Sequence, residues 1–410
     1  MSGGNAGSSA TTLGGASGAQ GSDGTFQHPG VLVNGEQIAF LKAKIAAGAQ
    51  PWTSALAAAK VGQRSSDFAG YPAFASLTYV PHPVPNICCG SVSKPDVGCK
   101  AEQFDASAAY TTALIWALTG DEAYAKQALA IMNAYSAVMP KHVAPNTMCT
   151  GADGTSGLSS NTVVQSGWVG SIFPRAGELL RGYAGWPAAD VEKFKSMLRG
   201  AYLPNLQQEP ADNGNWELSV ADALVQIGVF LDDKATFAQG LSFWRKRVPA
   251  YIYLKADGSV PLKIAGANWN ATNYFDGLCQ ETCRDLHHPQ LGFAALINAA
   301  ETARIQGVDL YSEQQSRIIA GLEVEANYLL QASASQTLTP SPGCSTAFPN
   351  PDQHSPAPMW EIAYNEYATR LKQPLPNTAA LIAKLRPTSV DHHMDWETLS
   401  HAEVGSVGIH

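Results

Sequence analysis

The sequence predicts an all-α fold, an (α/α) toroid or incomplete barrel built from helical hairpins. Three observations carry this. Apolar residues recur at three- and four-residue steps in segment after segment, the period of one helix face. Short polar turns join these segments in pairs. Alternating strand patterns are scarce, and helix packed on helix is the layer architecture that remains. A prior of ~150 residues per domain would divide 410 residues into about three. The unbroken run of hairpins instead predicts one domain over 28–410, behind a leader at 1–27.

Residues 105–118 (DASAAYTTALIWAL) read as an apolar helix, turned by Thr119-Gly120-Asp121. Residues 121–139 follow, with Tyr124, Ala128, Leu129, Met132 and Tyr135 on one face. Asp121 and Glu122 supply the acceptors and negative charge that a helix start favours. Residues 167–183, 188–202, 216–231 and 234–248 repeat the style, the last two joined at Leu231-Asp-Asp233. Residues 289–306, 313–332, 357–371 and 377–385 complete the series. A short β-hairpin is expected at 251–254 and 259–262, around Asp257-Gly258. Three long irregular stretches, 71–100, 144–165 and 265–286, interrupt the helices. Loops of that length in a compact domain are usually functional.

The leader is Gly/Ser/Ala-rich and has no charge before Asp23. It offers nothing to pack and lacks the basic and apolar regions of a signal peptide. It is similar to the spacer that follows a bacterial export signal or a lipid-anchored cysteine. The expectation is therefore a secreted, periplasmic or cell-surface protein. The seven cysteines agree with that. Cys88, Cys89, Cys99, Cys149, Cys279, Cys283 and Cys344 lack zinc-ribbon spacing and sit in Gly-, Pro- and Asn-rich segments. At least one disulfide and one unpaired thiol are expected. The formal charge of -8 argues against nucleic acid as a partner, and no apolar run reaches the ~20 residues of a membrane span. A monomer is expected.

Only 15% of residues are charged, so local crowding of polar groups is informative. Between Tyr274 and Pro289 lie Asp276, Glu281, Arg284, Asp285, His287 and His288. Pro289 suits the first helical position, which would put His288 at the N-cap. A helix N-terminus disfavours imidazolium, so a neutral His288 could accept a proton. The competing reading is an ion-pair knot of Glu281, Arg284 and Asp285 with capping histidines. A second group is Asp212-Asn213-Gly-Asn215-Trp216-Glu217, where amides, an indole and a helix start suit either capping or a sugar carboxylate. Asn161 and Gln165 could face a cleft or serve a loop. Trp360, Tyr364 and Tyr367 share a helix face that is core more often than subsite.

Taken in order, Asn213-Gly-Asn-Trp-Glu217, Gln280-Glu-Thr-Cys-Arg-Asp-Leu-His-His288 and Trp360-Glu-Ile-Ala-Tyr-Asn365 resemble the alginate-lyase-type superfamily of polysaccharide lyases. The resemblance runs from about 105 to 395. It implies an (α/α) toroid and β-elimination on an acidic polysaccharide, alginate or glucuronan, with the family's histidine mapped onto His288. Relatives often read Arg-Asp-x-Gly-His, where this chain has Arg284-Asp-Leu-His287-His288. A tyrosine that often follows that histidine has no counterpart in Pro289-Gln290-Leu291.

β-Elimination removes the C5 proton beside a carboxylate, whose charge must be neutralised as the carbanion develops. Arg284 offers a permanently charged fork. Arg284, His288 and Asn215 are therefore the expected neutralisers, with Tyr274 or His288 as the base. Asn161, Gln165, Asn213, Trp216, Glu281, His287 and Tyr364 are the expected substrate contacts. No metal-ligand set or nucleotide loop is apparent in the sequence, so no cofactor is expected. The alternatives are an inverting glycoside hydrolase and a non-catalytic uronate-binding protein. The hydrolase would need two carboxyls about 6.5–9.5 Å apart, from Glu281 and Asp285 or from Glu217 and Asp276.

Overall fold

The structure is a computed structural model that describes residues 25–61, 68–91, 94–207, 213–267, 269–344 and 355–406. Most of the leader and Asp212 lie outside the described residues.

Helices α1 (Gly35–Ala46) and α2 (Trp52–Val61) come first. Strands β1 (Asn86–Cys89) and β2 (Asp96–Val97) then lead into α3 (Cys99–Thr119) and α4 (Glu122–Val138). As expected, α4 opens on Asp121, whose side chain accepts from Ala123 N. Strands β3 (Lys141–His142), β4 (Met148–Thr150) and β5 (Ser156–Leu158) precede α5 (Thr162–Leu180). Next come α6 (Ala188–Met197), α7 (Leu203–Leu206), α8 (Gly214–Phe230) and α9 (Lys234–Tyr251). The chain continues with α10 (His287–Ile305), α11 (Leu310–Glu313), α12 (Gln315–Ser333), α13 (Glu361–Tyr364) and α14 (Pro376–Leu385). A hairpin of β6 (Val390–Asp391) and β7 (Met394–Asp395) and the short α15 (Glu397–His401) end it.

Helices α3, α5, α8 and α10 are neighbours in that order, and α4, α6 and α9 lie outside them. This is the two-layered ring of a toroid. Sequence composition sorts the layers. From Leu218 to Phe230 every residue of α8 is buried, whereas α6 buries only Phe194 and Met197. Fully enclosing one aliphatic or aromatic side chain contributes about 1.5–3 kcal/mol, so the inner helices dominate the core.

The β6–β7 hairpin anchors to the inner helices α5 and α10. Arg175 of α5 donates to the His393 carbonyl (2.9 Å) and to Asp395 (3.2 Å), and also meets Asp222 of α8. Asn298 of α10 donates to the same carbonyl (3.1 Å). These polar groups are enclosed but bonded to one another, which is the condition under which burial is tolerated.

The expected hairpin around Asp257-Gly258 does not form. Tyr251 ends α9, and residues 255–257 make a 3-10 turn instead. The reason is Asp257: its carboxylate accepts from Leu254 N (3.2 Å) and takes both arms of Arg317 at 2.7 Å. Three disulfides, Cys88–Cys149, Cys89–Cys99 and Cys283–Cys344, pin the long loops, and Cys279 is a buried free thiol.

Candidate functional site

Inner helices α3, α5 and α8 are each followed by a returning outer helix, and Glu281 and Tyr251 link the N-termini of α8 and α10 at one mouth of the ring. Those ends carry unsatisfied N–H groups and partial positive charge. The same ends hold the amides and histidines singled out in the sequence.

At α10, the expected cap is corrected. The helix begins at His287, with Leu286 in the N-cap position. Asp285 does the capping: its Oδ1 accepts from His287 N (2.9 Å) and His288 N (2.8 Å). A carboxylate one residue farther out can accept from two backbone donors, which an imidazole cannot. The other oxygen, Oδ2, lies 2.6 Å from His288 Nδ1. Burial pushes the Asp285 carboxyl up, but His288 and the two capping N–H groups outweigh it and hold it below the usual carboxylate range. Asp285 therefore both starts the helix and orients the imidazole, leaving Nε2 as the ring's second nitrogen.

Glu281 joins α8 to α10. Its Oε2 accepts from Asn215 Nδ2 (2.7 Å), Asn215 N (3.3 Å) and Tyr251 OH (3.0 Å). Its Oε1 meets Arg284 Nη1 at 3.3 Å, and Arg284 Nε lies 3.7 Å from Asp285 Oδ2. The ion-pair knot anticipated from sequence is thus present. Yet the Arg284 side chain stays 48% exposed while Glu281 and Asp285 are buried. Tyr251 reaches Glu281 by passing between two glycines. A Cβ on Gly214 would come within 2.1 Å of its ring, and one on Gly292 within 2.2 Å of its hydroxyl. That explains why a glycine separates Asn213 from Asn215.

A second pair approaches from the C-terminal hairpin. His392 Nδ1 is 2.6 Å from Asp391 Oδ1. The His392 ring lies 6.0 Å from that of His287 and edge-on to Trp168 at 4.5 Å. His287 in turn lies 5.8 Å from His288. Burial holds His287 below its ordinary pKa, more than Asp391 raises it.

Other expected contacts are placed elsewhere. Asn215 is fully enclosed and donates to Glu281, so it stands behind that carboxylate rather than facing a substrate. Gln165 is buried and donates to Glu102 (2.9 Å) and the Cys99 carbonyl (3.0 Å). Asn161 heads α5 without a side-chain cap, and its Oδ1 accepts from Ser160 Oγ at 3.3 Å. Asn213 heads α8 with a buried, unpartnered Oδ1, and Trp216 is half-buried in the first turn. Tyr274 packs with Tyr253 (5.6 Å) and Trp269 (6.1 Å) on the Cys283 cluster. Among the described residues no hydrogen bond or ring contact joins it to Arg284 or His288. Trp360 and Tyr367 are core, and Tyr364 is half-buried at the end of α13.

Tyr251, Trp168, Asp391 and His392 were not anticipated. The adjacent His392 and His393 were the available signal for the hairpin. Tyr251 was assigned to a strand, which hid its direction.

Comparison with known proteins fits this geometry. The alginate lyase family profile matches residues 90–336, more than half of the chain. No curated protein matches it. Alginate lyase A1-III from Sphingomonas species A1 has the same fold, with a TM-score of 0.59 at 14% identity, covering 92% of this chain and 97% of that one. An alginate lyase from Bacteroides ovatus gives 0.57 at 12% identity, covering 91% and 99%. With the toroid in place and the family's profile spanning its inner helices, this chain belongs to the alginate lyase family and is a polysaccharide lyase.

Proposed function

We propose that the protein cleaves a 4-linked polyuronate, mannuronate-type alginate or glucuronan, by β-elimination at the α10 mouth. The observation that carries this is a half-exposed Arg284 beside a histidine held by Asp285. Arg284 takes the sugar carboxylate and neutralises it as charge develops at C5. His288, whose Nδ1 is turned to Asp285, accepts the C5 proton at Nε2. Glu281, fixed by Asn215 and Tyr251, positions Arg284. Asn215 is thus a positioning residue in this mechanism. The role of Tyr274 as base loses its support, because its ring sits in the Cys283 cluster.

One histidine can then return its proton to the departing O4. That requires the C5 hydrogen and O4 on the same face of the sugar. Mannuronate and glucuronate, epimers at C2, share that arrangement, whereas guluronate has the opposite one. Mannuronate and glucuronate polymers are the substrates that follow. The three disulfides support an exported enzyme.

The test is a panel of purified uronans read by ultraviolet absorbance of the unsaturated product. Strong signal from polymannuronate or glucuronan and little from polyguluronate is expected. Chain shortening without that absorbance would make the enzyme a hydrolase and sink the proposal. The carboxyl pairs considered for hydrolysis are otherwise engaged. Glu217 pairs with Arg247, and Asp276 accepts from Lys255 N at 2.6 Å.

A further inference from the structure

We propose that His287, Asp391 and His392 form a binding site for one divalent transition-metal ion of the zinc, cobalt or nickel class. Each residue offers one ligand atom, and these atoms lie within 4.8 Å of one another. Two imidazoles and one carboxylate are the donor set that such borderline ions favour over calcium or magnesium. Three protein ligands leave further coordination positions for water or a substrate oxygen.

The ligands converge from two distant parts of the chain. His287 is fixed at the first position of α10 by the Asp285 cap on its N–H. Asp391 and His392 come from the β6–β7 hairpin, which Arg175 and Asn298 anchor through the His393 carbonyl. His392 sits at φ 48°, in the left-handed region that residues with side chains adopt uncommonly. The Trp168 edge contact holds its ring. The Asp391–His392 hydrogen bond holds the two side chains together, and its proton is released to solvent when an ion takes their place as partner. All three residues are partly buried, so the cluster is formed in the fold yet reachable from solvent. An ion here would tie the C-terminal hairpin to the α10 N-terminus, one residue from His288. A hairpin held in that way keeps its place beside the mouth while polymer moves through.

The site is tested without substrate, so failure here and failure of the lyase reading are distinguishable. Untagged protein, stripped with a chelator, is titrated with cobalt(II). Calorimetry should give one equivalent, visible absorption should report nitrogen and oxygen ligands, and Trp168 fluorescence should be quenched in step. Asp391→Asn and His392→Gln should each weaken binding by at least ~10-fold. Absence of stoichiometric binding, or unchanged affinity in folded variants, overturns the proposal. If either variant fails to fold, X-ray absorption of the zinc-loaded wild type decides. Two imidazoles in the coordination shell support the site, and a shell without imidazole refutes it.

Discussion

The mouths of α5 and α10 look alike in sequence and behave differently in the fold. Each presents polar side chains at the N-terminus of an inner helix. At α5 the group closes on itself. Gln165 donates to Glu102, which also takes Tyr202 OH at 2.7 Å and His142 Nε2 at 3.2 Å. At α10 the carboxylates are equally enclosed, but the cation they hold is not. Arg284 reaches solvent, and His288 keeps a nitrogen beyond its bond to Asp285. A buried network with every donor used holds helices together. A network that ends in a half-exposed cation can bind an anion. The difference lies in what remains after internal bonds are made, and residue type alone does not reveal it.

The most severe way to break this comparison is to remove the unspent groups. Arg284→Ala should cut turnover on a responsive uronan by roughly 10²–10³-fold, and His288→Ala by roughly 10²–10⁴-fold. Helical circular dichroism should be unchanged in both. Arg284→Lys should recover little, because a point charge does not replace a two-armed fork. Near-wild-type turnover in either alanine variant would move the chemistry away from α10.

The carboxylates extend the contrast to pH. Burial raises Asp395 to about 7 despite Arg175, whereas Asp285 is held below the usual range by His288. In the folded state Asp395 keeps a proton that the unfolded chain has released above about 3.8. Its stabilising effect is therefore greatest below that value and is lost as pH rises toward about 7, by about 1.4 kcal/mol per unit. Asp395→Asn should remove this slope. The variant's melting temperature relative to wild type should be higher at pH 8 than at pH 5. A difference that does not change with pH would show that Asp395 is ionised throughout and that water reaches it in the interior.

Gln165→Ala probes the closed network itself. Glu102 would lose a donor in an enclosed site, at a cost of about 1–3 kcal/mol in stability. Turnover by the folded fraction should stay within about twofold of wild type. Denaturant unfolding and initial rates separate the two effects. A large loss of turnover at unchanged stability would place Gln165 in the cleft.

How much of this was legible follows from the same distinction. The helical hairpins showed because their apolar period is local. Arg284, Asp285 and His288 showed because one continuous segment carries them. Asp285 was passed over as the cap because adjacent His288 and Pro289 fit a simpler pattern. Tyr251 and His392 arrive from α9 and the terminal hairpin, and only the folded ring brings them to the mouth. Asn215 and Gln165 carried the same signal, an amide at a helix start. Where each amide points depends on Glu281 and Glu102, which lie far off in sequence.

Tyr274→Phe gives the smallest expected effect and the finest discrimination. In sequence Tyr274 was attractive because it is near Arg284. In the fold, proximity along the chain is spent on a different cluster, beside Trp269, Tyr253 and the Cys283–Cys344 bridge. Removing its hydroxyl leaves the ring and its packing in place, and among the described residues that hydroxyl makes no hydrogen bond. Turnover within about twofold of wild type is expected, since a group outside the reacting constellation contributes nothing that grows in the transition state. A loss approaching the roughly 10²-fold of a missing general base would show that the 265–286 loop carries Tyr274 to the sugar when polymer binds. His288 would then be the neutraliser and Tyr274 the base. The α10 mouth would be only half of the site, and its apparent difference from the α5 mouth would describe the empty protein alone.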